Sequence, residues 1–200
     1  MTTICICLPE DMEGILKARE HFASVGLENV EFFWGINAKV AGLSTCHPYE
    51  VDSPGSGYRM GAKSVGTWLS HYMLWSSLLR SSEDKILILE SDAKFLPGWK
   101  EKLEAAMKIA PSNFDFLNIG PCCMESHERE LVSGDVYSTD YAFCNHSYVL
   151  RRDCIMFLLK TMRKCWAPID IQLTMECYPH LNTYAVFPRL VEQFNTVLPV

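Results

Sequence analysis

Residues 86–89, Ile-Leu-Ile-Leu, run directly into Glu90, Ser91 and Asp92. An aliphatic run without polar alternation is the pattern of a strand buried on both faces. Two carboxylates at the end of such a strand are costly unless a cation or hydrogen-bond donors compensate them. Side chains at i and i+2 share one face of a strand, so Glu90 and Asp92 can converge. Hard oxygen ligands of this kind suit Mg2+ or Mn2+, which also engage the phosphates of a nucleotide. An ion there would neutralise a departing diphosphate as a Lewis acid. The same three residues also read as a solvated acidic turn, and spacing alone does not separate the two readings.

A second acid, Asp170, lies in Pro168-Ile169-Asp170, where Pro168 opens a helix. An Asp in a first helical turn ordinarily compensates the helix dipole; facing a hydroxyl, it could instead accept a proton. Ser70 and His71 sit on an apolar helix. Ser70 can bond back to its own helix and His71 can be structural, or the pair can contact a ligand. His146 and Gln193 carry the same two readings. Asn37 follows a strand, where Asn favours a tight turn. Trp68 and Trp75 are expected in the core.

The elements that must position these groups follow from periodicity. Strands are expected at residues 4–8, 30–34, 86–89, 114–119, 141–150 and 184–187. Helices are expected after Pro9-Glu10-Asp11 as far as Gly26, and at 66–80, from Pro97-Gly98 to Ala110, at 153–164 and at 168–177. The first has Met12, Ile15, Leu16, Arg19, Phe22 and Ala23 on one face. Residues 39–62 read as a long Gly/Ser/Pro-rich loop or lid, and 122–140 as irregular. Alternating strands and helices imply an α/β fold, a mostly parallel central sheet flanked by helices. Ligands of such sheets bind beyond the carboxyl ends of the strands. That rule selects Pro9, residues 35–38, residues 90–92 and Gly120.

The chain of 200 residues suits a single domain, 1–200. Its net charge of -6 gives no general attraction for nucleic acid or anionic lipid, so a nucleic-acid partner is disfavoured. No apolar run is long enough to span a membrane, and the acidic N-terminus does not read as a signal peptide. These features predict a cytoplasmic protein. Its nine cysteines lack any CxxC pair, so free buried thiols are expected.

Several segments together resemble the family 25 glycosyltransferases, which include lipooligosaccharide and collagen galactosyltransferases. Residues 66–75 look like the family's Gly-x-x-Leu-Ser-His-x-x-x-Trp helix. Residues 86–95 are similar to its aliphatic strand with Glu-Asp-Asp and a downstream Phe, with Ser91 in place of the middle acid. His146-Ser147-Tyr148 resembles its Ala-Tyr strand, Pro168-Ile169-Asp170 its Pro-x-Asp, and residues 188–193 its Pro-x-(Leu/Val)-x-x-Gln ending. Residues 32–38 match its second strand, with Asn37-Ala38 replacing Asp-Gly.

The resemblance implies a GT-A-type, Rossmann-like fold and a UDP-sugar donor, with galactose or glucose as the hexose. It implies Mn2+ or Mg2+ held by Asp92 with Glu90 nearby, and donor contacts from Pro9, Asn37, Ser70, His71 and Gln193. His146 falls on the acceptor side, and Asp170 is the expected base of an inverting transfer. Residues 1–120 would form the nucleotide-sugar half and 121–200 the acceptor half. The acceptor is expected to be a saccharide. A modified nucleobase or a protein side chain is the alternative, as for a viral or phage transferase; a catalytically degenerate nucleotide- or sugar-binding module is another.

Overall fold

The computed structural model describes residues 1–43, 60–122, 124 and 129–194. Strand β1 (Thr2–Cys7) leads to helix α1 (Met12–Ser24), capped by Asp11, whose carboxylate accepts from Gly14 N–H. Strand β2 (Val30–Trp34) follows, then α2 (Ala62–Leu78) and β3 (Lys85–Glu90). After these come β4 (Ala93–Phe95), α3 (Trp99–Ile109), β5 (Phe116–Asn118), β6 (Glu130–Ser133), β7 (Val136–Ser138) and β8 (Ser147–Arg151). The chain ends with α4 (Ile155–Thr161), α5 (Ile169–Gln172), a π-helical turn (Leu173–Cys177), β9 (Thr183–Val186) and β10 (Val191–Gln193).

Eight strands form one sheet in the order β2-β1-β3-β8-β5-β9-β7-β6. The pairs β1–β2, β1–β3 and β5–β9 are parallel, and β8 is inserted antiparallel between β3 and β5. The α/β expectation, with helices covering a large sheet, holds; β8 and the antiparallel strands β7 and β6 beyond β9 make the sheet mixed.

Strand alternation assigns the two faces. Ile86 and Ile88 pack with Trp68 and Trp75 of α2 and Leu158 of α4. Leu87 and Leu89 pack with Phe22 of α1 and Leu103 of α3. All four aliphatic residues of β3 are at most 1% exposed, as expected of a central strand.

Several expectations change. In α1 the buried face is Ile15, Ala18 and Phe22, while Met12 and Leu16 are more than half exposed. Both apolar residues sit on the flank of the helix, and the sheet covers only its centre. Residues 130–138 are a hairpin, not irregular chain; Gly134 at its turn has φ 53°. The sequence shows no alternation there, because β6 is an exposed sheet edge whose adjacent Leu131 and Val132 both face solvent. Most of the loop at 39–62 lies outside the described residues.

The thiol expectation also needs correction, since Cys122 and Cys144 form a disulfide. They are far apart in sequence and meet because Cys122 N–H donates to Phe143 O at 3.1 Å. Such bonds persist mainly in oxidising compartments. Cys5, Cys7, Cys154, Cys165 and Cys177 are buried free thiols, as expected.

Candidate functional site

The carboxyl ends of β1, β2 and β3 meet the N-terminal half of α2 around a cavity of about 410 Å³. Asn37, Lys63, Ser70, His71, Glu90, Ser91 and Asp92 are among its lining residues. A smaller cavity of about 200 Å³ is lined by Asn145, His146, Asp170 and Gln193. The two share Lys63, Thr67 and Glu90, so they form one cleft with Glu90 at the junction.

Glu90 continues the Ile86–Ile88 side of β3, the side that faces α2. There His71, fully buried, places Nε2 at 3.0 Å from Glu90 Oε1 and Nδ1 at 2.8 Å from the Tyr148 hydroxyl. Trp75 Nε1–H donates to that same hydroxyl at 3.0 Å. The chain is satisfied when the Tyr148 O–H donates to Nδ1 and Nε2–H donates to Glu90. Trp68, His71 and Trp75 share one face of α2 because they are three and four residues apart. Tyr148 joins them because its register partner is Ile88. Burial pushes the Glu90 carboxyl up, but the His71 hydrogen bond, with electrostatic contributions from His71, His146 and Lys63, outweighs it and leaves it below the usual range.

Asp92 lies just past the strand. Burial and the neighbouring Glu90 charge raise its pKa to about 6, against a lowering hydrogen bond from Gln193. Gln193 Nε2–H donates to Asp92 Oδ2 at 3.0 Å, whereas Oδ1 is buried without a partner among the described residues. An orphaned carboxylate oxygen beside a second carboxylate fits a divalent cation. Among the described residues no three His, Cys, Asp or Glu side chains group as a metal site, so those residues offer at most this pair.

Other expected residues have defined places. Ser70 accepts from Ile36 N–H at 2.8 Å and donates to Gly66 O at 2.7 Å, so its hydroxyl fastens the β2 end to α2. Gly66 permits that approach, because a Cβ there would lie 2.5 Å from Ile36 O. Asn37 accepts from Lys39 and Val40 N–H in a tight turn and donates to Glu10 Oε1. Pro9 does not line the cavity; it is exposed on the turn, and Leu8 and Asp11 take that side. The reason is the turn from Leu8 into α1, closed by Asp11 N–H to Leu8 O, which points Pro9 outward.

Asp170 borders the smaller cavity. Its Oδ2 accepts from Cys144 N–H at 3.2 Å and its Oδ1 from Ile171 N–H at 2.9 Å, which leaves one lone pair on each oxygen. Cys144 has φ 66°, a left-handed conformation that favours glycine. Asn118, fully buried, holds that loop by donating to the carbonyls of Ala142, Phe143 and Cys144. His146 is buried, with Nε2 3.3 Å from Val191 O and Nδ1 unpartnered among the described residues. Burial keeps its pKa below the usual value, against a raising contribution from Glu90. Gly120, expected at the site, instead packs against His146 and Ser147, where a Cβ would collide with both side chains.

Sequence reasoning missed Lys63 and Asn118. Lys63 falls between the expected loop, 39–62, and the expected helix, 66–80, and belongs to neither; the structure places it one residue into α2. Asn118 carries no local signal, because the carbonyls it holds lie 24–26 residues away.

The family model for "Glycosyltransferase family 25 (LPS biosynthesis protein)" matches residues 16–141, more than half of the chain. A "Glycosyltransferase 25 family member" of Anopheles gambiae is 24% identical over 78% of this chain and 28% of its own length. The "Probable inactive glycosyltransferase 25 family member 3" of Bos taurus is 26% identical over 71% of this chain and 25% of its own length. The chain thus spans little more than a quarter of these curated relatives. Among solved structures, "A197 from STIV" is similar in fold, with TM-score 0.53 at 11% identity, over 97% of this chain and 86% of that one. No helix among the described residues is long and apolar enough to cross a membrane. The extent of the family match, together with the cleft at the β3 end, establishes that the chain belongs to glycosyltransferase family 25.

Proposed function

We propose that the protein transfers a hexose from a UDP-sugar to a hydroxyl of a saccharide acceptor, with inversion at the anomeric carbon. The observation that carries this reading is the junction of two cavities at Glu90, with Asp92 on the larger side and Asp170 on the smaller. The larger cavity suits the donor and the smaller the acceptor, which divides the chain near residue 120 into donor and acceptor halves. When bound, Mn2+ or Mg2+ on Asp92 Oδ1 with Glu90 would neutralise charge on the departing diphosphate.

The chain's own residues would do the rest. Asn37, Ser70 and His71 hold the donor side, Ser70 and His71 mainly by fixing the β2 turn and Glu90. The acceptor oxygen forms its bond to the anomeric carbon as the bond to the diphosphate breaks. Its proton passes to a free lone pair of Asp170, whose orientation Cys144 and Ile171 N–H maintain. Gln193 orients Asp92, and His146 backs the junction.

A second reading has two specific supports. Ser91 replaces an expected acid, and the similar bovine protein carries "inactive" in its name. The chain would then bind a nucleotide sugar without turning it over. One assay separates the two: free UDP is measured with UDP-galactose or UDP-glucose, manganese and a panel of saccharides. Turnover abolished by Asp92→Ala, with Asp170→Asn keeping donor binding but losing transfer, supports catalysis. Binding without turnover supports the second reading, and no binding of any UDP-sugar refutes both. A cytoplasmic location stays with this proposal, and the Cys122–Cys144 bond counts against it. Non-reducing peptide mapping of protein from its producing cell decides that point.

A further inference from the structure

The cleft gathers negative charge faster than it supplies positive charge. Asp11, Glu90 and Asp92 line the larger cavity, against Lys39 and Lys63. A diphosphate would add at least two more negative charges among these carboxylates. A family member with a complete acidic triplet could answer with a tightly chelated cation. Here Ser91 interrupts the triplet, and no three-ligand group occurs among the described residues.

Lys63 is placed to answer instead. It lines both cavities, so it stands at the junction where the donor's diphosphate must lie if the sugar is to reach the acceptor side. Its charge reaches both acids, lowering the pKa of Glu90 and of Asp92. It also sits in the first turn of α2, which holds no acidic residue and whose Gly61 cap makes no side-chain hydrogen bond. The positive end of the helix therefore adds to the lysine charge. Lys39 lies past the Asn37 turn and borders only the larger cavity, away from the junction.

We infer that Lys63 binds the diphosphate of the nucleotide-sugar donor directly, adding positive charge to what a metal held by only Asp92 and Glu90 would supply. The inference rests on the donor-site reading above and goes further by naming the contact. Lys63 then remains paired with the nucleoside diphosphate after the sugar has left. Its long side chain is exposed, so its removal leaves the core untouched.

The test is calorimetric titration of UDP and of uridine into wild type, Lys63→Ala and Lys63→Arg, each in EDTA and in manganese. Losing one charge-assisted contact predicts UDP binding weaker by about ten- to a hundredfold in Lys63→Ala. Uridine, which lacks phosphate, should bind all three proteins alike, and Lys63→Arg should recover most of the UDP affinity. Manganese should narrow the Lys63→Ala deficit. Equal UDP affinity of wild type and Lys63→Ala in both media overturns the inference while leaving the donor site standing. So does an equal loss for UDP and uridine, which would report general damage to the cavity. Failure of wild type to bind either ligand removes the donor site itself and this inference with it.

Discussion

Replacing Tyr148 by Phe removes one oxygen from the middle of the buried chain that ends on Glu90. The ring stays, and with it the stacking on Phe116 at a centroid separation of 4.5 Å. Two groups lose their partner: Trp75 Nε1–H and His71 Nδ1. Trp75 and His71 are both fully buried, so water does not replace the hydroxyl. Leaving a buried polar group unpaired costs about 1–3 kcal/mol, so the pair should cost about 2–6 kcal/mol. With a urea slope of about 2 kcal/mol/M, the unfolding midpoint should drop by about 1–3 M. Adding Trp75→Phe should cost less than the sum of the two single changes, because the second substitution removes a donor already orphaned. A midpoint drop below about 0.3 M for Tyr148→Phe, or strict additivity with Trp75→Phe, would refute the hydrogen-bonded chain.

Three further outcomes follow from individual contacts. Gly120→Ala should destabilise by about 1–3 kcal/mol in urea unfolding, since its Cβ meets Ser147 and His146 inside a packed site; an unchanged midpoint would mean that the site relaxes freely. His21 Nε2 accepts from Phe95 N–H at 2.8 Å, and burial with the Lys94 charge holds its pKa below 6.5. The folded protein therefore takes this proton less readily than the unfolded chain. The stability it contributes is complete above about pH 6.5 and declines as pH falls toward the lower folded value. His21→Gln should flatten the acid side of the stability profile, and an unaltered slope would contradict the assignment. Burial, against opposing charge from Arg19, pushes the Cys7 thiol up to about 11, and burial takes Cys165 and Cys177 to about 12. Iodoacetamide at pH 8 should label these thiols only after unfolding, as read by peptide mapping; rapid labelling of the native protein would count against their burial.

How much of this was readable beforehand differs by element. β3 announced itself, because four aliphatic residues on both faces fit only a central strand, and its end located the cleft. Trp68 and Trp75 were expected in the core, and both are core residues. The hairpin β6–β7 was not legible, since an edge strand with all four residues of β6 exposed carries no hydrophobic alternation. The antiparallel β8 was legible as a strand but not in its direction, which depends on where a long connection returns. At the site, Glu90, Asp92, His71 and Asp170 came from motif and position, and the cleft gathers them. Ser70 came with them, but its hydroxyl is committed to holding β2 against α2. The disulfide and the Asn118 clamp join residues more than twenty positions apart, so no local pattern encodes them.

The most direct test of the account is a crystal structure of the protein soaked with UDP and manganese, with anomalous data collected for the metal. The account predicts the diphosphate in the larger cavity, between the start of α2 and Asp92, and a manganese signal bound to Asp92 Oδ1. Nucleotide density elsewhere on the surface, or a saturated soak that leaves this cavity without nucleotide, would contradict it.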